Sequence, residues 1–197
     1  MINGSRYAYT KNIKNVDGKT VTSSLTLVTV EPKDTDVYII TPDTQAFDHR
    51  GMNVETYNES VYESLGTKFI VDSISSSRHN VLRGIHGDSR TTKLISVLFG
   101  EIYLVVVNLD KDSPQYRQSD FFYLKASNYR QILVPPKFGN GHYVISDHAV
   151  FSYKLSAEYD RESQFSVHWN TPMLDIWWPS KKPILSERDE KAPECLP

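Results

Sequence analysis

Short runs of β-branched and aromatic residues, each closed by a turn signal, recur along the whole chain, and no long stretch carries helical periodicity. The pattern predicts strands over residues 37–40, 52–57, 68–74, 81–86, 93–99, 101–109, 120–124, 131–134, 142–144, 150–155 and 164–169. Ahead of these, 7–13 and 20–30 flank Asp17-Gly18, a pair suited to the tight turn of a β-hairpin. One flat open sheet cannot bury so many short strands. Two sheets packed face to face, or a sheet closed on itself, can, so an all-β jelly roll of two antiparallel sheets with few short helices is expected. Residues 58–65 form the predicted short helix. Gly139-Asn140-Gly141, after Pro135-Pro136, reads as a tight loop between strands, and the Pro-rich end, 172–197, is expected to wrap the surface.

At 197 residues the chain suits one domain. Residues 1–36 read as an N-terminal β-hairpin extension packed on a main domain of 37–197, with nothing resembling a flexible linker between them. A content of 39% hydrophobic and 23% charged residues supports a packed core and excludes a disordered chain. The net charge of −2 argues against a polyanion binder, so nucleic acid is not an expected partner. The longest apolar stretch, 103–107, falls far short of the ~20 residues that cross a bilayer. The first twenty residues are too polar for a signal peptide, and a cytoplasmic protein with no membrane partner is expected. The single cysteine, Cys195, sits in a Pro-flanked tail without a base beside it and reads as a bystander.

Chemistry concentrates in Asn80-Val-Leu-Arg-Gly-Ile-His86-Gly-Asp88 and in the strand that begins at Lys93. Strict alternation puts Leu82, Gly84 and His86 on one face and Val81, Arg83 and Ile85 on the other, unless a bulge intervenes. A histidine can act as a general base near neutral pH, with a carboxylate to fix its tautomer; taken alone, as a residue type, His86 reads first as a structural histidine. Metal is disfavoured. The six histidines, at 49, 79, 86, 142, 148 and 168, show no close ligand spacing except His142 and His148 across a loop, and the Lys93 ammonium opposes a cation beside it. No metal and no cofactor are expected. A Gly-X-Ser-X-Gly elbow, a phosphate-binding glycine loop and a paired-cysteine zinc pattern are all missing, and Trp177-Trp178-Pro179 reads as a core anchor.

Arg50-Gly51 with Glu55-Thr-Tyr-Asn58, the Leu82-Arg-Gly-Ile-His86 stretch, Lys93-Leu94, Gly100-Glu101, Asp112-Ser-Pro114, Arg130-Gln131, Phe151-Ser-Tyr-Lys154, Ile176-Trp-Trp-Pro179 and Ile184-Leu-Ser-Glu-Arg-Asp189 are together similar to the dTDP-4-dehydrorhamnose 3,5-epimerase family. The resemblance runs from about residue 37 to 191 and implies a cupin-type jelly roll that acts on a nucleoside-diphosphate 4-keto-6-deoxy sugar. A ketone at C4 acidifies the C3 and C5 protons, so a base on one face and an acid on the other can invert a carbon through an enolate. By resemblance His86 is the base, Asp189 its carboxylate partner, Lys93 the cation that stabilises the enolate and Tyr153 the acid. Arg83, Arg50, Glu55, Asn140, Asp88 and Tyr159 are the expected contacts to sugar and diphosphate. Family members are homodimers that exchange N-terminal strands, which implies that Arg50 completes the partner's site.

Several positions depart from the family pattern. Asn140 stands where the family has a histidine, Gly87-Asp88 where it has an aromatic and a glutamine, and Met52, Asn53, Val71 and Ser73 replace usual base contacts. These changes resemble a branch acting on GDP-linked 4-keto-6-deoxy-heptoses in bacterial capsule pathways. That reading gives Gly87 the task of making room for a longer sugar side chain and Asp72 that of accepting from guanine. The alternatives are a dTDP-linked 3,5-epimerase of the rhamnose pathway, a related keto-sugar isomerase and a non-catalytic sugar-binding jelly roll.

Overall fold

A computed structural model of the chain describes residues 6–14, 20–33, 35–42 and 45–194. Seven strands form the larger sheet, in the order β1 (Arg6–Lys14), β2 (Thr20–Pro32), β3 (Tyr38–Pro42), β11 (Gln131–Val134), β8 (Lys93–Phe99), β13 (His148–Leu155) and β6 (Val71–Arg78). Five form the smaller, in the order β10 (Ser119–Lys125), β9 (Glu101–Asn108), β12 (Phe138–Val144), β7 (Leu82–Asp88) and β14 (Gln164–Val167). Neighbours within both sheets pair antiparallel. A separate ribbon joins β4 (Gln45–Asp48) to β5 (Gly51–Val54). The two sheets close face to face over Ile95, Val97, Ile132 and Phe151 from one and Leu104, Val106, Phe122 and Val144 from the other. This is the expected cupin-type jelly roll, formed because strands such as β8 and β9 turn Ile95 and Val97, and Ile102, Leu104 and Val106, toward the space between the sheets.

The N-terminal hairpin is continuous with this architecture. β1 pairs with β2 from Arg6↔Thr29 to Lys14↔Thr20, and β2 pairs with β3 from Val28↔Pro42 to Pro32↔Tyr38, so the extension lengthens the larger sheet at its edge. Its Asp17-Gly18 turn, and Cys195, lie outside the described residues. The helix α1 (Glu59–Ser64) falls within the predicted 58–65. It buries Val61 and Tyr62 against Ile40, Leu94 and Leu133 on the outer side of the larger sheet, where the Tyr62 hydroxyl donates to the Gln131 side chain.

Three local features differ from expectation. Gly139-Asn140-Gly141 is not a loop but lies inside β12. The missing Cβ at Gly139 serves close packing, since one built there would come within 2.6 Å of Ile85 and 2.9 Å of Leu109. The C-terminal segment does more than wrap. Leu174 and Trp178 cover the outer face of the smaller sheet together with Leu82, Ile85, Val105 and Val107, and the Trp178 indole donates to the Trp169 carbonyl at 2.8 Å. Trp177, by contrast, is exposed, so the anchor reading fits one tryptophan of the pair.

The third difference positions the site. β12 pairs with β7 as Asn140↔His86 but then His142↔Arg83, so three steps on β7 match two on β12 and β7 carries a bulge at Gly84-Ile85. Alternation therefore breaks. Leu82 and Ile85 both face the outer core, while Arg83 and His86 both face the interior between the sheets.

Gly87 does not face that interior. A Cβ there would meet the Phe165 ring at 2.0 Å and the Phe138 carbonyl at 2.8 Å, so this glycine makes room for Phe165, not for a sugar side chain. Gly87→Ala is expected to destabilise the fold by about 2 kcal/mol or more through overpacking. This should appear as a fall of about 4–8 °C in Tm. Phe165→Leu in the same chain should recover part of the loss.

Candidate active site

Between the two sheets lies a cavity of about 420 Å³. His86 reaches it from the bulged strand β7, Asn140 and His142 from β12, Lys93 from β8 and Tyr153 from β13. Asp189 comes from the C-terminal segment, whose path is set by two backbone hydrogen bonds: Ile184 donates to the Asn80 carbonyl at 2.7 Å, and Leu82 donates to the Ile184 carbonyl at 3.0 Å. The chain then turns into α2 (Glu187–Glu190). Ser186 caps it by accepting from the Asp189 amide at 3.2 Å while its hydroxyl donates to an Asp189 carboxylate oxygen at 2.8 Å.

Oδ1 of Asp189 lies 2.6 Å from Nε2 of His86. Burial pushes this carboxyl upward, but the hydrogen bonds from His86 and Ser186 and the Gly84 amide outweigh it and hold the group below the usual carboxylate range. An ionised carboxylate fixed to one ring nitrogen leaves the other with a lone pair, and it stabilises the imidazolium once a proton arrives.

Lys93 donates to the His86 carbonyl at 3.1 Å and to the Asn140 side-chain oxygen at 2.9 Å. Burial lowers its pKa to about 8; Asp88 pulls the other way and Arg188 adds to the fall. The ammonium is therefore mostly charged at neutral pH, in a dry setting where a charge acts strongly on a nearby oxyanion. Tyr153 belongs to the other sheet from His86, and its ring packs on Phe151 with centroids 5.6 Å apart. Imidazole and phenol thus occupy opposite walls.

Arg83 and Tyr159 also line the cavity, Tyr159 being 71% exposed. Arg83 is held by Ser77, to whose hydroxyl its Nε donates at 3.1 Å. Among the lining residues that sequence reasoning did not single out are two with polar or charged side chains facing the chemistry. Arg188, which donates to the Ser166 hydroxyl at 2.8 Å, sits beside Asp189 in a motif already noticed. His142 was noted only for its spacing to His148.

Other expected contacts lie elsewhere. Arg50, in the turn between β4 and β5, pairs with Asp48 and does not line the cavity. Glu55 is also outside it and accepts from Asn58 at 3.1 Å. Asp72 pairs with Lys154 on the outer side of the larger sheet. Asp88 borders the cavity but is 2% exposed, and its oxygens are taken by the Arg90 amide at 2.8 Å, the Thr91 amide at 3.0 Å, the Ser163 hydroxyl at 2.9 Å and the Gln164 side chain. It clamps the turn after β7. Among the described residues no group of three or more His, Cys, Asp or Glu side chains is placed to hold a metal ion, and no helix is long and apolar enough to cross a membrane.

Residues 33–196 match the model of the family described as dTDP-4-dehydrorhamnose 3,5-epimerase. The chain is 36% identical over 174 residues to the dTDP-4-dehydrorhamnose 3,5-epimerase of Salmonella typhimurium, covering 85% of this chain and 94% of the relative. A crystal structure of the Bacillus anthracis 3,5-epimerase, with TDP and PPi bound, superposes with a TM-score of 0.80 at 36% identity, over 86% of this chain and 99% of that one. The Legionella pneumophila enzyme in complex with dTDP-4-keto-L-rhamnose gives 0.79 at 36% identity, over 84% of this chain and 92% of that one.

The clamp at Asp88 has a measurable consequence. Burial pushes its carboxyl upward, but the hydrogen bonds from Arg90, Ser163 and Thr91 prevail and lower it. The stabilisation is therefore present above the ordinary carboxylate pKa and lost as pH falls through the depressed value. Asp88→Ala is expected to cost on the order of 3 kcal/mol at pH 7, since several buried donors lose their acceptor. A lowered urea midpoint, with the gap from the wild type narrowing as pH falls, would show it; an unchanged midpoint would return Asp88 to the substrate contacts.

Proposed function

Since the chain belongs to the dTDP-4-dehydrorhamnose 3,5-epimerase family, we propose that it inverts C3 and C5 of a dTDP-linked 4-keto-6-deoxy sugar. The observation that carries this reading is the division of the cavity: His86 with Asp189, and Tyr153, stand on different sheets, with Lys93 hydrogen-bonded beside the base. His86 removes a proton from the carbon next to the C4 ketone, and Asp189 holds the resulting imidazolium. The electron pair moves onto the C4 oxygen, where the Lys93 ammonium offsets the charge without a metal. Tyr153 returns a proton from the opposite face, which inverts the carbon. Arg83 and Arg188, both lining the cavity, supply guanidinium forks for the diphosphate.

A thymidine nucleotide is preferred to the GDP-heptose reading for two reasons. The relatives named above act on or bind dTDP compounds. The residues enlisted for guanine and for a longer sugar, Asp72 and Gly87, do not border the cavity. The working unit is a homodimer with N-terminal strand exchange. The dimer is supported by the exposed Ile70, Ile74 and Leu98; β1 pairs with β2 and β2 with this chain's own β3, so the exchange itself draws no support from the fold. Arg50, far from its own cavity, then serves the partner's. Sedimentation velocity that gives a monomer would end this assembly.

Turnover in deuterated water tests the chemistry. His86→Ala is expected to abolish exchange at C3 and C5 while dTDP still binds, and undiminished exchange would remove His86 from the role of base. Tyr153→Phe should keep exchange but lose inversion. Lys93→Met should lower kcat about 10²–10³-fold, the scale of a lost oxyanion donor. The charged lysine is the active form, so kcat/KM is expected to fall as pH rises through about 8 in the wild type. A flat profile from pH 7 to 9.5 would exclude the ammonium.

A further inference from the structure

One buried polar group in the cavity has no part in the reaction just described. His142 is 3% exposed, lines the cavity and stacks on Phe151 with ring centroids 4.2 Å and planes 13° apart. No described residue is placed as a hydrogen-bond partner for its ring nitrogens, which are not sealed into the protein but open onto the cavity. Burial drives its pKa down to about 3, with Arg83 and His86 acting in the same direction and Asp189 opposing. It is therefore neutral at any pH at which the fold operates. A neutral ring cannot neutralise a diphosphate, and the two walls already hold a base and an acid. What remains is an imidazole that offers one N–H and one lone pair.

Packing does not account for the residue type. A phenylalanine would stack on Phe151 equally well and would bring no polar atoms to the cavity wall that an occupant has to satisfy. The imidazole is worth its burial when the occupant of the cavity completes its hydrogen bonds.

We propose that His142 hydrogen-bonds a hydroxyl of the substrate's sugar ring and makes the site select hydroxylated over deoxygenated sugars. The inference rests on the nucleotide-sugar reading above. A sugar hydroxyl both donates and accepts, so it can satisfy either ring nitrogen. The stack on Phe151 fixes the ring before the sugar arrives, so little ordering is lost on binding. A sugar lacking that hydroxyl would leave the imidazole buried and unpaired, which is how a polar site rejects a smaller analogue more firmly than an apolar one does.

Calorimetry on the full chain tests this with ligands that cannot turn over: dTDP, dTDP-glucose, and the 2-deoxy and 3-deoxy analogues of dTDP-glucose. The wild type is expected to bind dTDP-glucose about tenfold or more tightly than at least one deoxy analogue. In His142→Phe the affinity for dTDP should stay as it was, while the gap between dTDP-glucose and that analogue falls to within about twofold. A wild type that binds dTDP but discriminates against neither analogue overturns the proposal, whatever the variant does. So does a gap that persists in His142→Phe. Failure of the wild type to bind dTDP or dTDP-glucose overturns the nucleotide reading, and this inference with it.

Discussion

His86 and Asp189 are 103 positions apart in the chain and 2.6 Å apart in space, and much of the molecule exists to keep them so. The contact requires the C-terminal segment to cross the outer face of the smaller sheet, where Leu174 and Trp178 are buried with Ile85, Val105 and Val107. It requires the pairing of residue 184 with Asn80 and Leu82, which aims the chain back at β7. It also requires glycine at position 84, where a Cβ would sit 2.9 Å from the Asp189 carboxylate. Apolar burial supplies the free energy, and the hydrogen-bonded imidazole–carboxylate pair is what it holds in place.

Much of the scaffold was legible from residue type. Runs rich in valine, isoleucine and aromatics became β8, β9 and β13, and the helix at 59–64 lies within the predicted 58–65. The strand β4, Gln45–Asp48, escaped because its composition carries little β preference. The start of β12 escaped because two glycines there look like a turn, whereas Gly139 lacks a side chain so that Ile85 and Leu109 can approach. A missing side chain has the same appearance in sequence whether it frees the backbone or makes room for a neighbour.

The site was legible in a different way. His86, Lys93, Tyr153 and Asp189 came from resemblance, since no spacing rule links residue 86 to 189, and the structure gathers all four around one cavity. Arg50, Glu55 and Asp72 had the right chemistry for a ligand, yet in this chain their partners are Asp48, Asn58 and Lys154. Asp88 has the right place, but backbone amides and two polar side chains claim its oxygens. A carboxylate's availability is decided by the donors folding brings to it, and local sequence does not show them.

The bulge in β7 acts as a change of reading frame. Upstream of Gly84-Ile85 the odd-numbered position 83 faces the cavity; downstream the even-numbered position 86 does. A single extra residue thus lets an arginine and a histidine three positions apart serve one chamber, while Leu82 and Ile85 serve the core behind it. Loss of that residue would restore the ordinary phase and exchange lining for core on one side of the break. Insertions and deletions are usually absorbed in loops; in this strand the count of residues itself decides which side chains line the cavity.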